Sequence, residues 1–174
     1  MEMGKRVFSS KFPELFRELD NYIERFRGKE LFLVGSMPEV CGGFIRQTPQ
    51  SRHLSEALKG KDISFSQLLL RTIEEKGMSQ ADCYKKALVD RKLFSKIRSN
   101  LQYRPSKETV LAFCVALELD LDDTEKLLKA AGYALSNSRD FDIIVRFFIE
   151  KGLFNIMEIN EALLEYNQPL LSCR

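Results

Sequence analysis

The amino-acid sequence predicts a mainly α-helical fold. Three observations carry that expectation. After residue 62, apolar residues recur every three to four positions, the spacing of one helix face. Most of these stretches follow a Ser, Asp or Asn, the residues whose side chains accept a hydrogen bond from the first N–H groups of a helix. Most also end at Gly or shortly before Pro, which close helices.

The elements follow in order. Residues 1–61 form a less regular N-terminal segment. In it "PELFRELDNYIERF" is an amphipathic helix, "ELFLVG" a candidate strand, and "GSMPEVCGGFIRQTPQSRH" a Pro- and Gly-bearing linker. Residues 62–133 hold five short helices. "FSQLLLRTIEEKG" places Phe65, Leu68, Leu69 and Ile73 on one face and stops at Gly77. "SQADCYKKAL" has Ser79 as N-cap, with Asp82 in the first turn, where a carboxylate suits the helix dipole. "DRKLFSKIRSN" is capped by Asp90 and turns Phe94 and Ile97 inward. Pro105 marks a loop, and Ser106 caps "KETVLAFCVALEL", with Val110, Phe113, Cys114 and Leu117 as its stripe. Asp122 with Glu125 reads as a capping box opening "DTEKLLKAAGY", closed by Gly132. Residues 134–174 are a helical extension packed on these. "DFDIIVRFFIEKG" is apolar nearly all round, so Phe147 and Phe148 are either core or a seam between two copies. "NIMEINEALLEYN" starts at Asn155, turns Ile159 and Leu163 inward and stops before Pro169.

Composition bounds the function classes. The chain has 174 residues, 44% hydrophobic and 30% charged, an ordinary globular balance and enough length for a real core. No run approaches the roughly 18 apolar residues of a membrane span. The N-terminal "MEMGKRVFSSKF" lacks the apolar centre of a secretory signal, so a cytoplasmic location and no membrane partner are expected. Cys41, Cys83, Cys114 and Cys173 include no C-x-x-C pair, and His53 is the single histidine. Buried thiols are expected rather than a metal site, and no cofactor is expected. Neither "GxxxxGK" nor "GxGxxG" occurs, His53 lies in a polar loop, and Asp122 and Asp123 suit a helix start rather than acid–base work, so no enzyme is expected.

Charge is polarised along the chain. From Tyr84 to Lys107 there are eight basic residues and one acid, Asp90, a net of +7. From Glu118 to Glu165 there are 11 acids and 5 bases, a net of −6. The positive cluster falls on the third helix of the five. Helix, turn, helix, loop, helix is the order of a helix-turn-helix domain. A DNA major groove about 12 Å wide admits one helix, whose outward side chains meet base edges while hidden apolar residues set its angle. The helix Asp90–Asn100 meets both needs.

The residues from Phe65 to Leu128 resemble the lambda-repressor/Xre-type helix-turn-helix family. The resemblance rests on "KGMSQADCYKKALVDRKLFSKIRSN" and "RPSKETVLAFCVALELDLDDTEKLL", through "G-x-S-Q", "S-K-I" and "P-S-x-E-T". It implies a lambda-repressor-like bundle of about five helices, with two extra C-terminal helices here. The segment from His53 to Leu171 also resembles the helical region found C-terminal to macro domains in some bacterial proteins. Macro domains bind ADP-ribose, but their strand-and-glycine nucleotide-binding motifs are not found in this chain.

The helix-turn-helix resemblance implies roles at matching positions. Gln80 would touch a phosphate and support the recognition helix. Arg91 and Lys92, then Ser95 and Lys96, would be offered to base edges. Arg98 and Arg104 would lie beside the DNA backbone, and Lys107 with Lys85 and Lys86 would add electrostatic docking. Two positions depart from the pattern. Leu88 stands in the turn where glycine is usual, and Tyr84 where alanine lets the helices touch. Either the turn is remodelled or the helices stand farther apart.

The expected function is a DNA-binding transcriptional regulator that docks Asp90–Asn100 in the major groove of double-stranded DNA, with a homodimer through the C-terminal helices. The alternative is a protein-interaction or adaptor module of a bacterial signalling or defence system, using the same fold without reading sequence. RNA is a third partner that a basic face alone does not distinguish from DNA.

Overall fold

A computed structural model describes residues 13–31 and 63–171, with side chains described for 13–27 and 63–171. Among these residues there are eight helices: α1 (Pro13–Leu31), α2 (Phe65–Glu75), α3 (Gln80–Lys86), α4 (Arg91–Ser99), α5 (Lys107–Ala116), α6 (Leu121–Ala130), α7 (Asp140–Glu150) and α8 (Ile156–Glu165). The mainly α expectation holds, and no strand occurs among the described residues. The candidate strand starts inside α1 and otherwise lies outside the described residues, as do the linker, Cys41, His53 and Cys173. None of the described helices is long and apolar enough to cross a membrane.

Side-chain caps start most of the helices. Ser64 and Gln67 form a reciprocal capping box at α2. The Ser79 hydroxyl accepts from Asp82 N–H at 3.1 Å, the Asp90 carboxylate from Lys92 N–H at 2.6 Å, and Asn155 Oδ1 from Met157 N–H at 3.0 Å. Ser106 caps α5. One cap differs from the sequence reading. Asp120, not Asp122, caps α6, accepting from Asp123 N–H at 2.8 Å. Asp122 and Asp123 lie in the first turn instead, where the helix dipole favours them.

Six helices end on a residue at positive φ. Three of these residues are not glycine: Leu88 (φ 53°), Glu118 (φ 50°) and Asn167 (φ 53°). Each closes the last turn with paired backbone bonds. At α3, Leu88 N–H donates to Lys85 O at 3.0 Å and Val89 N–H to Tyr84 O at 2.9 Å.

α5 is the central rod. Every residue from Val110 to Leu117 is buried, not only the single stripe the sequence suggested. α3, α6 and α8 pack around it. Phe113 of α5 meets Phe94 of α4 at 6.0 Å between ring centroids, and Phe94 meets Tyr84 at 5.5 Å.

α1 belongs to the same body. It lies on α7, with the Tyr22 ring 5.1 Å from Phe26 and 5.2 Å from Phe147. Polar contacts frame this seam. The Tyr22 hydroxyl donates to Glu150 at 2.8 Å, Arg27 pairs with Asp140 at 2.9 Å and Lys151 with Glu18 at 2.6 Å. The Tyr166 hydroxyl donates to Asp20. Phe147 and Phe148 are therefore core, 2% and 1% exposed, and no seam between copies is presented by those rings.

The C-terminal helices are tied to the first five by a buried ion pair. Asp142 of α7 is fully buried, and its carboxylate oxygens lie 2.6 and 2.7 Å from the Lys107 ammonium at the start of α5. The same carboxylate accepts from Ser136 N–H at 2.9 Å, which fixes the loop between α6 and α7. Buried Asn160 accepts from Leu171 N–H at 2.9 Å and holds the segment after α8 against the core.

Candidate nucleic-acid interface

The candidate site is the outer face of α4 with the start of α3. Phe94 and Ile97, 4% and 1% exposed, seat α4 on the core. Their spacing leaves Arg91, Lys92, Ser95, Lys96 and Arg98 exposed. Asp90 caps the helix, and Lys96 and Arg98 fall in its last turn, where the dipole favours cations. Lys85 is exposed in the last turn of α3.

The eight positions singled out by the sequence divide into two groups. Gln80, Arg91, Lys92, Ser95, Lys96 and Arg98 come together. The Arg98 guanidinium donates to Gln80 Oε1 at 3.3 Å, which joins the start of α3 to the end of α4. The Lys96 ammonium sits 4.5 Å above the Tyr103 ring.

Arg104 and Lys107 are held elsewhere. Arg104 donates to Gly132 O at 2.6 Å and stacks over the Tyr133 ring at 4.6 Å, closing the end of α6. Lys107 is 12% exposed and paired with Asp142. Lys86 is likewise engaged, donating to the Glu118 carboxylate at 2.5 Å. The cluster of eight cations therefore presents five: Lys85, Arg91, Lys92, Lys96 and Arg98. Among the described residues none of these five is ion-paired.

The turn between α3 and α4 answers the question its sequence raised. It is left-handed at Leu88 (φ 53°), a residue 47% exposed. A left-handed non-glycine residue costs roughly 1 kcal/mol. Tyr84 is half-buried and tilts its ring at 42° against Phe94, so an aromatic pair separates α3 from α4. The turn is thus left-handed at a leucine, and an aromatic ring spaces the two helices.

Glu118 braces the same end of α3 from the turn after α5. Besides binding Lys86, its carbonyl accepts from the Lys76 ammonium at 3.3 Å. The hydrogen bond and charge of Lys86 hold the Glu118 carboxyl below its ordinary range. Cys83 and Cys114 are buried, and burial pushes both thiols up to about 12, which leaves them unreactive near neutral pH.

The sequence did not reveal the place of Tyr103. It lies beyond the end of α4, so no helical register links it to Lys96. The partnership of Arg104 with Gly132 and Tyr133 spans 28 residues and carried no local signal.

Comparison with protein-family models, with curated proteins and with solved structures gives no significant match.

Proposed function

We propose that the chain is a DNA-binding helix-turn-helix protein that acts as a transcriptional regulator. α4 is its recognition helix. The observation that carries this reading is one short helix that buries Phe94 and Ile97 and exposes Arg91, Lys92, Ser95, Lys96 and Arg98. Five unpaired cations on α3 and α4 suit a duplex, whose phosphates dominate affinity. Arg91, Lys92, Ser95 and Lys96 are offered to base edges. Arg98, held by Gln80, sits where a phosphate would run. Lys107 and Arg104, engaged within the fold, are left out of the contact set.

The test is selection from a random duplex pool, followed by binding of the enriched site at several salt concentrations. Phosphate contacts by Lys85 and Arg98 give a slope of log K against log salt of about −1.8. The double replacement Arg91→Ala/Lys92→Ala is expected to erase preference for the enriched site and to leave that slope at about −1.8. Its far-ultraviolet circular dichroism is expected to match that of the unaltered chain. Unchanged preference would end this assignment.

A second reading, an adaptor module of a bacterial signalling or defence system, is favoured by one feature. Met157 and Leu164, seven residues apart on α8, are each 66% exposed, an apolar face unusual on a solvated helix. Failure of the pool to enrich any sequence, together with salt-sensitive self-association, would favour the adaptor.

A further inference from the structure

An open groove of about 690 Å3 runs beside α4. That volume falls within the roughly 300–1,000 Å3 of small-ligand sites. Leu88 and Leu93 give it an apolar lining, and Tyr103 contributes an aromatic ring from the loop after α4. Lys92 and Lys96 stand one helical turn apart on it, about 6 Å along the axis. Asp90 is the only acid among its described lining residues.

A base pair in a duplex offers edges to a recognition helix, not ring faces. An aromatic ring beside leucines, bordered by two cations, suits a different unit. We infer that this groove takes the unpaired base of a nucleotide within a nucleic-acid strand. The base stacks on Tyr103 against Leu88 and Leu93, and its phosphate lies across Lys92 and Lys96. The inference rests on the reading that α4 faces nucleic acid and adds what the helix does at an unpaired position.

Two observations support it. The Lys96 ammonium already lies over the Tyr103 ring at 4.5 Å, so the ring presents a face that attracts a planar or cationic group. When a base arrives, Lys96 has a phosphate within the same nucleotide to move to. The second observation is a contrast within the molecule. Another open groove, of about 600 Å3, also has a tyrosine, Tyr133. There Asp122 and Glu125 offset Lys126 and Lys129, and Arg104 already covers the ring. Of the two, only the α4 groove combines excess positive charge with a ring whose cation can be passed to a phosphate. The occupant is a nucleotide in a strand rather than a free one, because Arg91, Arg98 and Lys85 add exposed positive charge on the same helix pair for neighbouring phosphates.

The experiment uses the full chain and four probes. They are a perfect 20-base-pair duplex, the same duplex with one unpaired central adenine, the same with that base replaced by an abasic linker, and adenosine monophosphate. The unpaired adenine is expected to tighten binding roughly 5- to 100-fold over the perfect and abasic duplexes. Tyr103→Leu removes that gain, so that the bulged and perfect duplexes bind it alike. Tyr103→Phe keeps the gain. If a variant fails to fold, 2-aminopurine at the unpaired position, quenched on binding the unaltered chain, reads the stacking directly. Equal affinity for all three duplexes, or no change in 2-aminopurine emission, overturns the inference while leaving duplex recognition standing. No binding to any probe overturns both readings. Adenosine monophosphate bound as tightly as the bulged duplex would replace the strand by a free nucleotide and overturn the assignment.

Discussion

Replacing Asp142 by alanine strands a charge. The carboxylate is fully buried and meets the Lys107 ammonium at 2.6 Å, while Ser136 N–H donates to it at 2.9 Å. Removing it leaves an ammonium that is 12% exposed without a counter-charge and an N–H without an acceptor. An uncompensated buried charge costs about 3–5 kcal/mol, and an unsatisfied buried donor about 1–3 kcal/mol. Lys107 has a narrow path to water, so the low end of both ranges applies and the expected loss is about 4 kcal/mol. That is a large part of the roughly 5–15 kcal/mol that holds a domain folded. It corresponds to a fall in Tm of about 8–16 °C for a chain of this size. Urea unfolding followed by circular dichroism measures it. The double replacement Lys107→Met/Asp142→Leu is expected to recover most of the loss, because it removes both charges together. A loss below about 1 kcal/mol for Asp142→Ala, or a double variant weaker than the sum of the singles, refutes the argument. The Lys107→Met change carries a second readout. With its ammonium engaged inside the fold, it should leave the salt slope of duplex binding unchanged. A drop of about 0.9 would return Lys107 to the phosphate contacts.

Two pH effects follow from other contacts. Glu118 is held below its ordinary value of 4.5, first by the Lys86 hydrogen bond and then by its charge. Its contribution to stability is present above that value and lost as pH falls through the depressed one, so Glu118→Gln should flatten the acid limb of a stability-against-pH curve below about 4.5. Tyr22 and Tyr166 are both raised above the ordinary phenol value of 10.0, first by burial and then by hydrogen bonds to Glu150 and Asp20. Their contribution is full below pH 10 and lost as pH rises beyond it. Absorbance titration at about 295 nm should therefore show Tyr22 and Tyr166 ionising above the ordinary phenol range, and Tyr22→Phe/Tyr166→Phe should remove their contribution.

The helices of this fold were legible because their signals are local. Ser79, Asp90, Ser106 and Asn155 each cap the helix they precede, and Phe65, Leu69, Ile73, Phe94 and Ile97 repeat at helical spacing and are buried. The α6 start was misplaced by two residues because Asp120, Asp122 and Asp123 all suit an N-cap, and only the reversal at Glu118 and burial of Leu119 select the first. The composition of the candidate site was less legible. Lys107 and Arg104 read as members of the basic cluster because sequence counts charges and not their partners. Those partners lie 35 and 28 residues away, at Asp142 and Gly132. The aromatic nature of α7 was plain, but what covers it is α1, more than a hundred residues earlier.

The non-glycine residues at positive φ are where local preference and fold disagree, and such positions are worth interpreting from the outlier toward function. Asn167 tolerates this conformation. Leu88 and Glu118 do not, and each costs roughly 1 kcal/mol that a glycine would avoid. Both turns lie among helices α2–α6, and in both the side chain does something glycine would not. The Glu118 carboxylate holds Lys86, while its backbone carbonyl takes Lys76, so the ends of α2, α3 and α5 meet at one residue. Leu88 places an exposed isobutyl group on the groove beside Lys92, Lys96 and Tyr103. The strain at Glu118 is thus offset within the fold by two lysines. Leu88, nearly half exposed, instead lines the open groove beside α4. The left-handed turn at Leu88 therefore sets an apolar group at the edge of a groove that Lys92 and Lys96 make cationic.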